Sequence, residues 1–380
     1  MPRPLNVILD LTARCNLKCV MCHFSRADRL VFPPFDRSIS DDGNLPVEVF
    51  ERIAADLFPR AWRVALACAA EPMIHPRFRE ILAIAARYGV PDLWFPTNLL
   101  ALTPATAASI VENRVTTVAA SIDGFTKDTY ERIRVPAKWE RLLACLDVLA
   151  AARRGSPSRK SRAKTPRLRI IFTWMKANRG DLALLPGFAA AHGASEIDVR
   201  FVSPTEGVDV GPQLLSDEDP EALNAELAAA AHEAVRRGLR LASYPQFESR
   251  ATRPRGLAAR AARRLWRLRA GLDRFEYLRH AWYRKVNGCA YPGRNYVIRP
   301  NGAVHPCNYW NADPIGFYPQ DGIGAIAAGA PLARILEGLR TGRPVGTCDG
   351  CQERGFATMY RLRGAARTGT APARLPTHPG

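Results

Sequence analysis

Six short apolar runs alternate with longer amphipathic segments between residues 5 and 203, and this rhythm restricts the fold more than any other property of the chain. The runs cover 5–11, 62–67, 92–95, 115–122, 168–174 and 196–202. Segments of helical character lie between them, among them 46–57, 76–88, 104–113 and 137–153. Pro46, Pro76 and Pro104 fall where helices accept proline, near the first turn. Strand and helix repeating at this spacing predict an α/β fold, a parallel sheet curled into a partial barrel. Functional residues of such folds gather at the carboxyl ends of the strands.

Directly after the first run stands Cys15-Asn16-Leu17-Lys18-Cys19-Val20-Met21-Cys22, a CxxxCxxC triplet. Three thiolates in eight residues suit one soft metal centre, an iron–sulfur cluster or zinc. A closed structural site needs a fourth ligand. The next cysteine is Cys68, and His23 adjoins Cys22 too closely for an ordinary chelate. Three ligands on a cubane cluster leave one iron open to a substrate, so the triplet reads as catalytic.

The triplet resembles the cluster loop of radical S-adenosylmethionine (radical SAM) enzymes. That resemblance implies a partial (β/α)6 barrel and a [4Fe–4S] cluster on Cys15, Cys19 and Cys22. It also implies SAM as cosubstrate, cleaved reductively to a 5′-deoxyadenosyl radical. Later segments agree in order and spacing. Ala69-Ala70-Glu71-Pro72 is similar to the family's GGEP motif, with alanine at both glycines, and gives Glu71 as a contact of the SAM amino group. Thr97-Asn98-Leu99 is similar to its TNG segment and gives Asn98. Ser121-Ile122-Asp123-Gly124 matches its SIDG motif and gives Ser121 and Asp123 as ribose contacts. Arg200, ending the sixth run, is a candidate partner of the SAM carboxylate. Met21 stands where many members carry an aromatic residue.

Cys289, Cys307, Cys348 and Cys351 form a second group. Asn301-Gly302 signals a two-residue hairpin just before Cys307, and Cys348 and Cys351 make a CxxC knuckle. Zinc and a [4Fe–4S] cluster both suit four thiolates. The region resembles the C-terminal SPASM domain of radical SAM enzymes, in the shortened twitch form. That implies a second, auxiliary [4Fe–4S] cluster, fully ligated and suited to electron transfer. Cys68 and Cys145 read as buried small apolar residues.

The domain reading that follows is a barrel over 1–215, a basic helical connection over 216–288, a SPASM/twitch-like cluster domain over 289–360 and a tail over 361–380. The net charge of +18 is concentrated in 153–169 and 250–285. Arginine- and alanine-rich composition accounts for much of it without a partner. Residues 257–278 place leucines at helical spacing with arginines between, a stripe that packs on its own protein or meets an anionic membrane. Helix-turn-helix, RRM and KH signatures are missing, so a nucleic-acid partner is not expected. No apolar run has the length of a membrane span and no signal peptide is evident, so a cytoplasmic enzyme is expected, its cysteines ligands and not disulfides.

The expected activity is hydrogen abstraction from a small polar substrate, a sugar or aminocyclitol, with the auxiliary cluster taking up an electron. The chain begins at its first strand, which leaves no room for a leader-peptide-binding domain. A flavodoxin or ferredoxin is the expected electron donor. Glu206, Asp209 and Asp313 are candidate bases. Alternatives are peptide maturation by crosslinking or epimerisation, a lipid-linked substrate, and a non-catalytic metal-binding interaction protein.

Overall fold

A computed structural model describes residues 5–22, 43–154, 166–202, 209–215, 217–243, 246–247, 288–289, 291–310, 312–349, 351 and 359–360. The basic segment 250–285, His23 and Glu206 lie outside the described residues.

Seven strands run parallel in chain order: β1 (Leu5–Leu9), β2 (Ala61–Ala65), β3 (Asp92–Thr97), β4 (Thr117–Ser121), β5 (Arg167–Trp174), β6 (Glu196–Phe201) and β7 (Arg240–Ser243). The helices between them are α1 (Val47–Leu57), α2 (Phe78–Ala86), α3 (Pro104–Glu112), α4 (Lys127–Ile133), α5 (Trp139–Arg154), α6 (Leu185–Ala191) and α7 (Pro220–Arg236). Each of the six expected runs forms a strand. The alternation also continues past residue 215, because α7 and β7 add a further unit to the same sheet.

Local chemistry explains the helix starts. Thr103 accepts from the Thr106 amide at the head of α3, and Asp219 accepts from the Glu221 and Ala222 amides at the head of α7. In α1 the buried residues Phe50, Ile53, Ala54 and Leu57 fall on one stripe. Phe78 of α2 meets Phe95 of β3 edge-on, ring centroids 5.3 Å apart, which fixes Phe95 on the helix-covered side of the sheet. Trp94, Asp92 and Pro96 therefore face the concave side.

The C-terminal part joins this sheet. Strand β9 (Asn295–Ile298) pairs parallel with β1, β10 (Ala303–His305) returns antiparallel to β9, and β11 (Gly316–Phe317) pairs with β10. The sheet thus has ten strands, in the order β11-β10-β9-β1-β2-β3-β4-β5-β6-β7. A short parallel pair, β8 (Gln246–Phe247) and β12 (Met359–Tyr360), stands apart from it. The hairpin corner differs from the expected one. Its turn is closed by the Gly302 amide on the Arg299 carbonyl, with Pro300 and Asn301 central and Gly302 at φ 82. Proline sets the first corner, so the glycine becomes a bulge and not the second turn residue. Beyond the hairpin lie α8 (Ile323–Ala328) and α9 (Ala330–Arg340). The Tyr318 hydroxyl donates to Asp56 of α1 at 2.5 Å, tying this part to the barrel wall.

Strand alternation gives the concave face its chemistry. From β2 to β7 it carries Arg63, Asp92, Arg167, Arg169, Glu196, Asp198, Arg200 and Arg240; Asp10 and Arg299 extend it beyond the ends of β1 and β9. Glu196 is buried and meets Arg167, Arg169 and Arg240, while Asp92 meets Arg63. Arginines outnumber carboxylates on this face.

Candidate functional site

The loop carrying the cysteine triplet leaves the carboxyl end of β1 and is fastened on several sides. The Lys18 and Val20 amides donate to the Val135 and Ile133 carbonyls at 2.6 and 3.0 Å. The Glu71 amide donates to Arg14, and Ala13 donates to Gly43. Cys19 is buried, while Cys15 and Cys22 are partly open. The Leu17 amide and the Asn98 side chain point at the Cys15 sulfur, at 3.4 and 3.9 Å, and Asn98 also donates to Asn16 at 2.7 Å.

Burial pushes the Cys15 thiol up to about 11 and the Cys19 thiol up to about 12. The counterweight is Arg134, whose guanidinium is buried beside Cys19 and paired with Asp123 at 2.6 Å. Burial opposes its charge, but Asp123, Cys19 and Tyr130 outweigh that and raise its pKa. Amides aimed at one sulfur and a buried cation beside another are what anionic thiolates on a cluster require. The loop fits the [4Fe–4S] group that its spacing implies. Arg134 carries no motif signature; only the fold brings the end of α4 against the triplet.

The expected SAM contacts fall into three situations. Asn98 touches the cysteine loop directly. Glu71 and Asp123 are fully buried and committed to the scaffold. Glu71 accepts from the Met73 amide, the Thr97 hydroxyl at 2.7 Å and the Asn98 amide at 2.6 Å. Burial nonetheless raises its carboxyl to about 7, against those hydrogen bonds. Asp123 accepts from the Thr173 amide at 2.7 Å besides holding Arg134. Gly124 follows it because a Cβ there would lie 2.5 Å from the Tyr130 amide of α4. Ser121 is partly open at the end of β4.

Where the sequence replaces the family's glycines, the backbone keeps a glycine conformation. Ala70 has φ 56 and Leu99 has φ 71, both in the left-handed region. Met21 packs on Val210 and Leu214, so the segment 209–215 covers the triplet loop.

Arg200 stands near the end of β6, and Val202 just beyond it packs with Met21 on Val210 and Leu214. Its Nε and Nη2 donate to the two oxygens of Asp198, at 3.2 and 2.7 Å. Asp198 first, then more weakly Tyr309 and Cys68, hold its pKa up. Cys68 is partly open, and its amide and that of Ala69 donate to Asp10 at 2.6 and 2.8 Å. The other oxygen of Asp10 pairs with Arg299. His305 is buried beside Arg299, and burial lowers its pKa to about 3. Cys68, Asp10, Arg299, His305 and Tyr309 were not legible as site residues, since no local motif marks them. Asp209 and Asp313 are exposed; Asp209 accepts from Gly211.

The four C-terminal cysteines converge. Cys289, Cys307, Cys348 and Cys351 line one cavity together with Tyr291, Pro292 and Tyr309. Burial pushes the Cys307 thiol up to about 12, against the Tyr309 amide that points at its sulfur. Cys145 is buried against the Leu102 carbonyl, as expected of a core residue.

Comparison with known proteins agrees with this geometry. The family model described as the Radical SAM superfamily matches residues 9–157. Domains of this superfamily bind SAM and a [4Fe–4S] cluster. Among sequence relatives, mycofactocin maturase MftC of Mycobacterium ulcerans is 26% identical over 211 residues, 56% of this chain and 51% of that protein. An AdoMet-dependent heme synthase of Methanosarcina barkeri is 28% identical over 153 residues, 39% of this chain and 40% of that protein. The chain spans about half the length of the MftC relative. Among solved structures, Streptococcus suis SuiB bound to S-adenosylmethionine superposes with a TM-score of 0.62 at 15% identity, covering 90% of this chain and 68% of SuiB. Native anSMEcpe with bound AdoMet gives 0.55 at 13% identity, covering 92% and 87%. These likenesses show that the α/β fold is shared. Among the described residues, no helix is long and apolar enough to cross a membrane.

Proposed function

We propose that the protein is a radical SAM oxidoreductase that holds a polar substrate on its concave face and passes an electron to a second cluster. The supporting observation is that the fold assembles two separate cysteine groups and joins them by one sheet, β9 lying directly against β1. Cys15, Cys19 and Cys22 would hold the SAM-binding [4Fe–4S] cluster. Cys289, Cys307, Cys348 and Cys351 would hold the auxiliary one; four converging thiolates suit zinc or a cubane, and the resemblance to the SPASM arrangement favours the cubane. When bound, cluster and SAM supply a carbon-centred radical able to abstract hydrogen.

The chain's own residues have distinct tasks in this reading. Asn98 orients the Cys15 sulfur and Asn16. Arg134 balances thiolate charge. Glu71 and Asp123 brace the loops that face SAM, and Ser121 is left open to its ribose. Streptococcus suis SuiB, which shares the fold, is also solved bound to precursor peptide SuiA, which favours a peptide substrate. A sugar or aminocyclitol is the second reading, favoured by the hydrogen-bonding groups of the concave wall, among them Asn6, Asn295, Asp198 and Arg200.

Anaerobic reconstitution tests the proposal. About eight iron and eight sulfide per chain are expected from two cubanes, with 5′-deoxyadenosine formed from SAM under dithionite. About four iron per chain, or zinc in the C-terminal site, rejects the second cluster. No 5′-deoxyadenosine from fully loaded protein rejects the activity.

A further inference from the structure

We propose that Arg200, held side-on by Asp198, anchors a carboxylate of the substrate. This rests on the reading above only in placing the substrate on the concave face. Asp198 engages Nε and one hydrogen of Nη2. The opposite edge, Nη1 with the outer hydrogen of Nη2, is a planar fork that matches a carboxylate. The pairing also fixes its direction. Asp198 is 4% exposed and Arg200 is 50% exposed, so a buried anion aims an accessible cation. Asp198 is itself an anion, yet the wall beneath it is positive, Glu196 being met by three arginines.

The SAM carboxylate is the competing ligand: Val202, two residues past Arg200, shares a small apolar cluster with Met21 of the triplet loop. Arg200 feels Cys68 and Tyr309, and Tyr309 lines the four-cysteine cavity. A carboxylate on Arg200 would place the rest of the substrate between the two cysteine groups, where an electron can leave toward the second.

Cys68 provides a reporter that needs neither turnover nor a known substrate. Anaerobically reconstituted full-length protein is alkylated in parallel with iodoacetate and with iodoacetamide, and labelling of the Cys68 peptide is followed by mass spectrometry. Glutathione serves as the free-thiol reference. Taking the ratio of the two reagents cancels the thiolate fraction of Cys68. A site that gathers carboxylates should raise the iodoacetate-to-iodoacetamide ratio at least about tenfold over glutathione. That preference should persist with saturating SAM and fall to the glutathione value in Arg200→Gln/Asp198→Asn, which removes both charges together. Arg200→Lys, which keeps a partner for Asp198, should retain only part of it; thermal melts confirm that both variants are folded. No preference, no labelling by either reagent, or a preference that survives the double variant overturns the proposal. A preference abolished by SAM gives Arg200 to the SAM carboxylate and overturns the substrate role. Formation of 5′-deoxyadenosine is measured on the same samples, so loss of the radical activity is told apart from loss of the anion site.

Discussion

Cys15, Cys19 and Cys22 occupy eight consecutive residues, while Cys289, Cys307, Cys348 and Cys351 come from separate segments that meet around a cavity. The first group is held by peptide hydrogen bonds to the end of α4 and by the Asn98 side chain just past β3. Its scaffold is the barrel. The second group depends on packing between segments. Cys289 is brought in by Gly288, where a Cβ would lie 2.5 Å from the Leu339 carbonyl of α9. Its hairpin, knuckle and α9 also gain a shared tie if four thiolates close on one cluster. The contrast teaches that a compact metal motif can use a scaffold built for other reasons, whereas a dispersed one has to help build its own.

Loss of function and loss of structure should therefore separate between the two groups. Cys15→Ala, Cys19→Ala and Cys22→Ala together should abolish 5′-deoxyadenosine formation while leaving about four iron per chain and an unchanged thermal midpoint. Retained SAM cleavage under dithionite would remove the triplet from catalysis. Cys348→Ala with Cys351→Ala should also remove about four iron per chain but keep uncoupled SAM cleavage. Proteolysis should now cut the C-terminal part first; equal protection in both variants would erase the contrast.

Arg134→Met sharpens the comparison from the barrel side. It leaves Asp123 buried without its cation and should cost about 3–5 kcal/mol in urea unfolding. A loss under 1 kcal/mol would show that Asp123 does not depend on it. Next in size is the pH response of Glu71. Its folded pKa, about 7, is raised from 4.5, so the stability linked to its proton is complete below about pH 4.5 and is lost as pH rises through 7. The loss should be on the order of 3 kcal/mol for so buried a group. Glu71→Gln should flatten that window when compared with wild type in the same metal state. Parallel curves would mean that the Thr97 and Asn98 hydrogen bonds keep the carboxylate ionised. The smallest effect is expected at Ala70, where relief of a left-handed alanine by Ala70→Gly should stabilise by about 1 kcal/mol. A lowered melting temperature would show that the methyl group packs usefully.

Much of the barrel could be read from the chain because strand and helix periods are local properties. The runs around Trp94 and Ile171 are strands, and Asp198 and Arg200 share a face by alternation alone. The triplet was legible for the same reason, since its ligands are neighbours in sequence. The extension of the sheet through β7 was less visible, because Arg240–Ser243 is only four residues long. The Pro300–Asn301 corner was misplaced by one residue because proline and Asn-Gly both signal turns, and only the chain's pairing decides between them.

What the sequence determined by itself is the βα order, the two cysteine groups and the motif positions at strand ends. Tertiary structure decided which groups face one another. It set Arg134 against Cys19, Arg299 on Asp10 and Tyr309 near Arg200. It also held Ala70 and Leu99 in a conformation their side chains disfavour. Those choices depend on burial, where a charge must find its partner across the fold whatever its distance along the chain.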